Sequence, residues 1–214
     1  MDWMLFITSI IGTIAFAVSG SLTAIERGLD LFGVLFIGCV AATGGGLMRD
    51  IVIATIPPSV FMSPEPLLVS TVSSFLTFCA VALFRKSYYT YRDKAAAINN
   101  VFDAIGLAAF CVTGTTVVIK AGHGGNPVMS IVLGMFTGVG GGMLRDILTN
   151  VTPAIFRKHV YAVAALAGSG TYYLLLKLGV SSAVATVLAM ATVCIIRYLA
   201  TTRRWELPKI RIDP

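Results

Sequence analysis

Two arginine–aspartate pairs lie inside long apolar stretches of the sequence, where charged side chains are costly. Arg49-Asp50 and Arg145-Asp146 each follow closely after a run of three glycines. An arginine near the centre of a bilayer costs roughly 2.5–3.5 kcal/mol on insertion scales, so it should face protein or water and have an acidic partner. Asp50, Asp146 and Asp103 are the available counter-charges. The pairs indicate either a static buried ion pair or the electrostatics and gating of a polar pathway.

The glycine runs Gly44-Gly45-Gly46 and Gly140-Gly141-Gly142 weaken any helix that contains them. Each glycine destabilises a helix interior by roughly 1 kcal/mol relative to alanine, so three in succession favour a kink or a break. The freed backbone groups must then face protein or a water-filled cavity, where carbonyl oxygens can replace the hydration shell of a cation. Close helix packing is the alternative interpretation, because Gly38, Ala42 and Gly46 recur at four-residue intervals.

Hydroxyl side chains in the same apolar stretches could line a polar path through the membrane. An isolated serine or threonine in a helix more often bonds back to its own backbone, which is the alternative at each position. The four cysteines also lie in apolar stretches, without the spacing of a metal site. No zinc motif, nucleophile elbow or phosphate loop occurs, so the sequence indicates neither an enzyme nor a cofactor. The candidate hydroxyls are Thr8, Ser19, Thr43, Thr113, Thr115 and Thr137.

The composition indicates that lipid solvates much of the surface. Of the 214 residues, 57% are hydrophobic and 12% are charged, whereas an ordinary soluble domain has about 25% charged residues. The mean hydropathy of +0.87 is too high for one globular core of this size. The net charge of +6 comes from basic residues in short loops between apolar runs. That distribution is typical of membrane topology and does not indicate a nucleic-acid partner.

Seven apolar stretches are candidates for membrane-spanning helices, each near the roughly 20 residues that cross a bilayer. If all seven span, the first, third and fifth loops share one side with the C-terminus. That side holds most of the basic residues, among them Arg27, Arg85 and Arg197, whereas the other side has Lys120 and Lys177. The positive-inside rule therefore predicts an external N-terminus and a cytoplasmic C-terminus. The stretches are 5–25, 31–56, 67–84, 101–120, 127–152, 160–177 and 179–199.

An internal repeat organises the chain. Residues 11–20 match residues 105–114, and residues 44–50 match residues 140–146 at nearly the same offset, which indicates duplication. Because each copy contains three spans, the second copy enters the membrane from the opposite side and forms an inverted repeat. We therefore predict an all-α membrane protein of two inverted three-helix repeats and a seventh helix, with the second and fifth helices kinked at their glycines. The predicted units are 1–94, 95–178 and 179–214.

The sequence resembles the prokaryotic branch of the trimeric intracellular cation (TRIC) channel family. The resemblance rests on the two Gly-Gly-Gly-x-x-Arg-Asp motifs, the two Gly-x-x-Ala-Phe-x-x-[Ser/Thr]-Gly motifs and the three-plus-three-plus-one plan. It implies a homotrimer in a prokaryotic inner membrane, with one pore per protomer around the kinked second and fifth helices. It also implies permeation of monovalent cations, with K⁺ favoured and Na⁺ as an alternative. Ser9 stands where the repeat aligns with Asp103, so a strictly symmetric acidic pair is not expected.

Two other functions remain open at this point. Inverted repeats with broken helices also suit a secondary transporter of a small solute such as glycine, and a non-conducting scaffold is the third interpretation. Membrane lipids are expected partners, because basic residues at the cytoplasmic side attract anionic head groups. The candidate head-group residues are Arg85, Lys86, Arg157 and Lys158.

Overall fold

The structure is a computed structural model that describes residues 3–157, 160–203 and 205, and all regular secondary structure in that part of the chain is helical. The long helices coincide with the predicted apolar stretches, and short helices occupy three of the connections. The helices are α1 Trp3–Glu26, α2 Leu31–Val52, α3 Ser59–Met62, α4 Glu65–Leu83, α5 Arg85–Thr90, α6 Arg92–Val118, α7 Pro127–Leu148, α8 Ala154–Arg157, α9 Tyr161–Lys177 and α10 Ser182–Thr202.

Six of these helices are long and apolar enough to cross a membrane: α1, α2, α4, α6 with the π-helical turn Ile119–His123 that follows it, α7 and α10. Helix α9, the predicted sixth span, has 17 residues, so the count of seven spans stays a prediction. Large apolar side chains such as Phe32, Leu76 and Val187 are more than half exposed. Lipid is the solvent that makes such exposure favourable. The chain is an integral membrane protein.

Helices α1, α2, α6 and α7 form the centre of the molecule. Helix α1 packs on α2 and α6, and α7 also packs on both of those helices. Helix α4 lies against α1 and α2, while α9 and α10 pack on α6 and on each other. The central core includes Phe16, Leu107, Ala108 and Val139, which are almost completely buried. The two candidate charge pairs therefore belong to the two helices, α2 and α7, that face each other in this core.

The expected break at the glycines is not confirmed, because α2 and α7 are helical without interruption through both runs. A Cβ atom at Gly45 would overlap the carbonyl oxygen of Thr137, and one at Gly141 would overlap that of Ala41. The missing side chains thus allow the two backbones to touch. This close approach offsets the low helix propensity of glycine and supports the packing interpretation for these two positions.

Helices α2 and α7 end in the same way, earlier than the sequence predicted. The amide of Thr55 bonds to the carbonyl of Asp50, and that of Val151 bonds to Asp146. Ala54 and Asn150, which precede those amides, both have a positive φ and turn the chain out of the helix. The chain then leads directly into α3 and α8. Both short helices are thereby held close to the arginine–aspartate pairs.

Candidate functional site

Two cavities with some polar lining residues lie beside the two arginine–aspartate pairs, and their lining residues do not overlap. The Arg49 cavity has a volume of about 330 Å³, and the Arg145 cavity has a volume of about 400 Å³. Ser9, Thr43, Gly46, Thr113, Lys120 and Thr137 are among the residues that line the first. Thr23, Glu26, Arg27, Asn99, Asn100 and Asp146 are among those that line the second.

Arg49 is a buried side chain that is held in place by its neighbour in the sequence. Its Nε and Nη2 atoms donate to Oδ1 of Asp50 at 2.8 and 2.6 Å. The other carboxylate oxygen of Asp50 accepts from the amide of Ser59 at 2.8 Å and from the Ser59 hydroxyl at 2.5 Å. One oxygen of Asp50 thus orients Arg49, and the other accepts hydrogen bonds at the start of the short helix α3. The side chain of Asp50 does not line the cavity, whereas that of Arg49 does.

Arg145 makes the same local contacts and two further ones that cross between helices. Its Nε and Nη2 atoms lie 2.8 Å from Oδ1 of Asp146, and Oδ2 of Asp146 accepts from the amide of Ala154 at 2.8 Å. Its Nη1 atom donates to Ser19 at 2.7 Å and to Asp103 at 3.0 Å. Arg145 therefore joins α7 to α1 and α6. The carboxylates of Asp103 and Asp146 thus both contact the buried guanidinium of Arg145.

A chain of hydrogen bonds connects Arg145 to two other polar side chains that line the Arg145 cavity. Ser19 donates to the side-chain oxygen of Asn99 at 2.6 Å, and the amide nitrogen of Asn99 donates to Thr23 at 3.3 Å. Asn99 and Thr23 line the cavity. Arg145 thus lies in the wall of this cavity and links it to Asp103 and Ser19, and Glu26 and Arg27 also line the cavity.

Arg197 belongs to the same cluster. The sequence-based prediction that Arg197 lies with the basic residues at the cytoplasmic surface is therefore wrong. It lies within α10, is 3% exposed, and has its Nη2 atom 3.6 Å from Oδ2 of Asp103. Its guanidinium also lies 4.6 Å from the ring centroid of Tyr161, an attractive cation–π contact. The sequence carried one signal for this role. Arg197 lies within the apolar stretch 179–199, as Arg49 and Arg145 lie within theirs.

Comparison with known proteins identifies the family. A family model described as "Glycine transporter" matches residues 6–84 and 100–177. The chain is 35% identical to the UPF0126 inner membrane protein YadS of Escherichia coli K12, and the match covers 95% of each chain. It is 30% identical to a solved prokaryotic TRIC channel in 0.5 M KCl, with a TM-score of 0.84 and coverage of 97% of this chain and 100% of that chain. The chain belongs to the TRIC family.

A second TRIC structure has the same fold. The TRIC trimeric intracellular cation channel orthologue of Rhodobacter sphaeroides is 27% identical, with a TM-score of 0.84. The superposition covers 94% of this chain and 98% of that chain. The fold of this TRIC-family protein is therefore shared over almost the whole chain.

The glycines of the TRIC-family protein divide into packing and cavity positions. Gly44 faces Leu144, and Gly140 faces Gly45, so both belong to the contact between α2 and α7 together with Gly45 and Gly141. A Cβ at Gly46 would meet only Arg49 Nη2 at 3.7 Å, and Gly46 lines the Arg49 cavity. A Cβ at Gly142 would lie 3.3 Å from the hydroxyl of Tyr161, beside the Asp103 cluster. The third glycine of each run thus faces the charged groups.

The candidate hydroxyls behave in three ways. Ser19 joins the Arg145 cluster, as described above. Thr113 is buried, lines the Arg49 cavity, and its hydroxyl has no hydrogen-bond partner in the described chain. Each of the other four hydroxyls donates to the backbone carbonyl four residues earlier in its own helix. Two of them, Thr43 and Thr137, also line the Arg49 cavity. Thr8 and Thr115 line neither cavity.

Of the expected lipid-binding residues, Arg85 and Lys86 line neither cavity. Arg85 and Lys86 are exposed at the start of α5, in the connection between α4 and α6. Arg157 is the last residue of α8. Lys158 lies outside the described residues, as do residues 206–214 of the predicted basic tail.

Proposed function

We propose that this protein is a channel for monovalent cations that favours K⁺, with one pore in each protomer of a homotrimer. The observation that carries the proposal is that each arginine–aspartate pair adjoins a cavity with polar lining residues, and that the buried Arg145 cluster adjoins one of these cavities. Solved structures with this fold are named as TRIC cation channels. The polar cavities supply water and hydroxyl ligands, which a monovalent cation needs on its way across a hydrophobic barrier.

In the proposed mechanism, the Arg145 cluster is a closed gate. A cation that enters the Arg145 cavity meets Glu26, Asn99 and Asp146, which offer negative charge or carbonyl oxygen. Its further path is blocked by the guanidinium of Arg145, which repels it at close range. Opening requires the hydrogen bonds of Arg145 with Ser19 and Asp103 to break while its contact with Asp146 persists. The contacts within α7 and those between helices are made by different nitrogens, so the two sets can separate.

Proposed pore-lining roles follow from the cavities. Gly46, Thr43, Thr113 and Thr137 belong to the pathway on the Arg49 side, with Arg49 and Asp50 as its fixed charges. Gly142, Ser19 and Asp103 belong to the gate on the Arg145 side. The glycines of the α2–α7 contact act through packing, which sets the distance between α2, which lines the Arg49 cavity, and α7, which lines both cavities.

The proposed architecture is two inverted repeats, 1–94 and 95–178, followed by a seventh helix and tail in 179–214. The corresponding bonds of Asp50 to Ser59 and of Asp146 to Ala154 support it. With α9 as the sixth span, the loops that hold Arg27, Arg85 and Arg157 lie in the cytoplasm. The Arg145 cavity then opens to the cytoplasm and the Arg49 cavity to the outside.

Recording from the purified protein in a planar bilayer with asymmetric KCl tests the channel. We expect a current whose reversal potential lies near the K⁺ equilibrium potential, with a smaller permeability for Na⁺. Saturable glycine uptake in liposomes without such a current would contradict the channel and favour the carrier that the family model's description suggests. Absence of both activities from a folded preparation would favour a non-conducting protein.

Two further parts of the proposal are tested separately. Chemical cross-linking in mild detergent should stop at three chains, and a limit of one or two would contradict the homotrimer. Anionic lipid should remain bound in native mass spectrometry and be lost when Arg85 and Lys86 are changed to glutamine. Unchanged lipid retention would remove the head-group assignment.

A further inference from the structure

The two arginines occupy corresponding positions but differ in what surrounds their Nη1 atoms. In the second copy, Nη1 of Arg145 donates to Asp103 and to Ser19. The repeat aligns these two acceptors with Ser9 and Thr113 in the opposite copy. Both line the Arg49 cavity, but neither carries a charge. The carboxylate that completes the environment of Arg145 is therefore missing beside Arg49.

The missing carboxylate leaves two hydrogen-bond donors without acceptors. The hydrogen bonds of Arg49 use Nε and Nη2, and no residue in the described ranges accepts one from Nη1. The hydroxyl of Thr113 is likewise unpartnered among described residues, although that residue is only 8% exposed. For the Thr113 hydroxyl, which is fully buried, the lack of an acceptor is unfavourable by about 1–3 kcal/mol. The walls of the cavity thus present donors that favour an acceptor from solution.

The charges around the cavity also favour an anion. Arg49 and Lys120 line it, and no aspartate or glutamate is among the described residues that do. Asp50, which pairs with Arg49, has its oxygens occupied by Arg49 and Ser59 and is not one of the lining residues. An arginine held by one carboxylate, with a free edge facing a cavity, is a common way to bind a second acceptor.

We propose that the Arg49 cavity is a binding site for a small monovalent anion, which takes the place that the Asp103 carboxylate occupies beside Arg145. The anion accepts from Nη1 of Arg49 and from the Thr113 hydroxyl, and Lys120 attracts it at the mouth. The cavity of about 330 Å³ has room for a halide or for a carboxylate as small as acetate, with water. The site goes beyond the proposed conduction, because it requires binding only and not an open pore.

Chloride NMR on the full chain in detergent provides the test, because bound chloride broadens the signal of the free ion. We expect excess broadening that bromide removes by competition. A comparison of acetate with bromide identifies the class of anion. Competition by acetate as well as bromide indicates a carboxylate ligand, whereas competition by bromide alone indicates an inorganic anion. Broadening that none of these competitors removes would overturn the site.

Ser9→Asp and Ser9→Asn form the matched pair of variants. The aspartate reproduces the Asp103–Arg145 contact and fills the anion position with a fixed charge, so specific broadening should fall at least about tenfold relative to Ser9→Asn. Because Ser9→Asp adds a partner to Arg49 rather than removing one, it is expected to fold. Equal chloride binding by two folded Ser9 variants would overturn the proposal.

A structural measurement keeps the test independent of variant stability. Crystals of the unmodified protein soaked in bromide should show an anomalous peak within hydrogen-bond distance of Arg49 Nη1. Bromide found only elsewhere on the molecule would overturn the assignment. None of these measurements uses ion flux, so a failure of the anion site is distinguishable from a failure of the proposed channel.

Discussion

Oδ1 of Asp103 lies 3.0 Å from Nη1 of Arg145, and both side chains are almost completely buried. The second oxygen of the same carboxylate lies 3.6 Å from Nη2 of Arg197. Asp103 therefore connects α6 to both α7 and α10. Because Ser9 stands at the corresponding position of the first copy, the two halves differ in charge at a point where their local contacts otherwise correspond.

Replacement of Asp103 by asparagine should release the proposed gate. The change leaves two buried guanidinium groups, those of Arg145 and Arg197, and only the carboxylate of Asp146 to balance their charge. Loss of one partner of a buried ion pair costs about 3–5 kcal/mol. We expect a lower unfolding temperature and a several-fold higher K⁺ flux into liposomes. Glu65→Gln is the control, because Glu65 is an exposed carboxylate at the start of α4, apart from both cavities. Wild-type flux through folded Asp103→Asn protein would exclude the gate.

Alanine at the glycine runs should separate packing from cavity positions. Gly45→Ala and Gly141→Ala each place a methyl group against a backbone carbonyl of the facing helix, so both should lower the unfolding temperature. Gly46→Ala meets only the end of the Arg49 side chain and gains helix propensity of about 1 kcal/mol. It should therefore be at least as stable as the wild type.

The same variants examine the expected helix break. If the glycines served to open the helices, Gly45→Ala would stabilise the fold slightly or leave it unchanged and reduce the conductance. The close contact with Thr137 reverses the expected sign for stability. Thermal unfolding of the variants followed by circular dichroism decides between the two. A Gly45→Ala protein as stable as Gly46→Ala would contradict the packing role.

Arg197 and Asp103 should be energetically coupled. Arg197→Met removes a buried cation, and Asp103→Asn removes the carboxylate that it faces. The double variant removes both charges, so neither is left buried without the other. Its loss of stability should therefore be smaller than the sum of the losses in the two single variants by about 0.5–3 kcal/mol. Denaturant unfolding of the two single variants and the double variant measures this coupling. Additive losses would show that Arg197 does not act on Asp103.

Cysteine labelling tests the predicted orientation. Met62 is 67% exposed at the end of α3, in the loop expected outside, and Met62→Cys should react with a membrane-impermeant thiol reagent on intact cells. Thr90→Cys, in the connection expected in the cytoplasm, should react only after lysis. The wild type controls for its own cysteines at positions 39, 79, 111 and 194. The reverse pattern would overturn the assigned orientation.

Much of the fold could be predicted because the bilayer imposes strong rules on local sequence. A helix that crosses lipid must satisfy its backbone internally and must be apolar over roughly 20 residues. The family resemblance was confirmed by the comparisons, and α1, α2, α4, α6, α7 and α10 lie at or near predicted stretches. Helix α9 is shorter than such a span usually is, so the seventh crossing stays a prediction.

The contacts of the site could be predicted only in part. Arg49 and Arg145 were identifiable because a charge inside an apolar helix requires an acidic partner, and the adjacent aspartates are those partners. The interhelical contacts of Arg145 with Ser19 and Asp103 were not predictable. They depend on which faces of α1, α6 and α7 meet. Arg197 was misplaced because an arginine near a helix end can extend to the membrane surface or turn inward.

The sequence by itself determined the solvent, the helices, the repeat and the two arginine–aspartate pairs, because each depends on composition or on short-range spacing. The tertiary structure decided what the glycines do and how the two arginines differ. Whether Gly45 opens a helix or lets another backbone approach depends on the facing carbonyl of Thr137. Whether a buried arginine has a second acceptor depends on a helix distant in sequence, as Asp103 provides for Arg145.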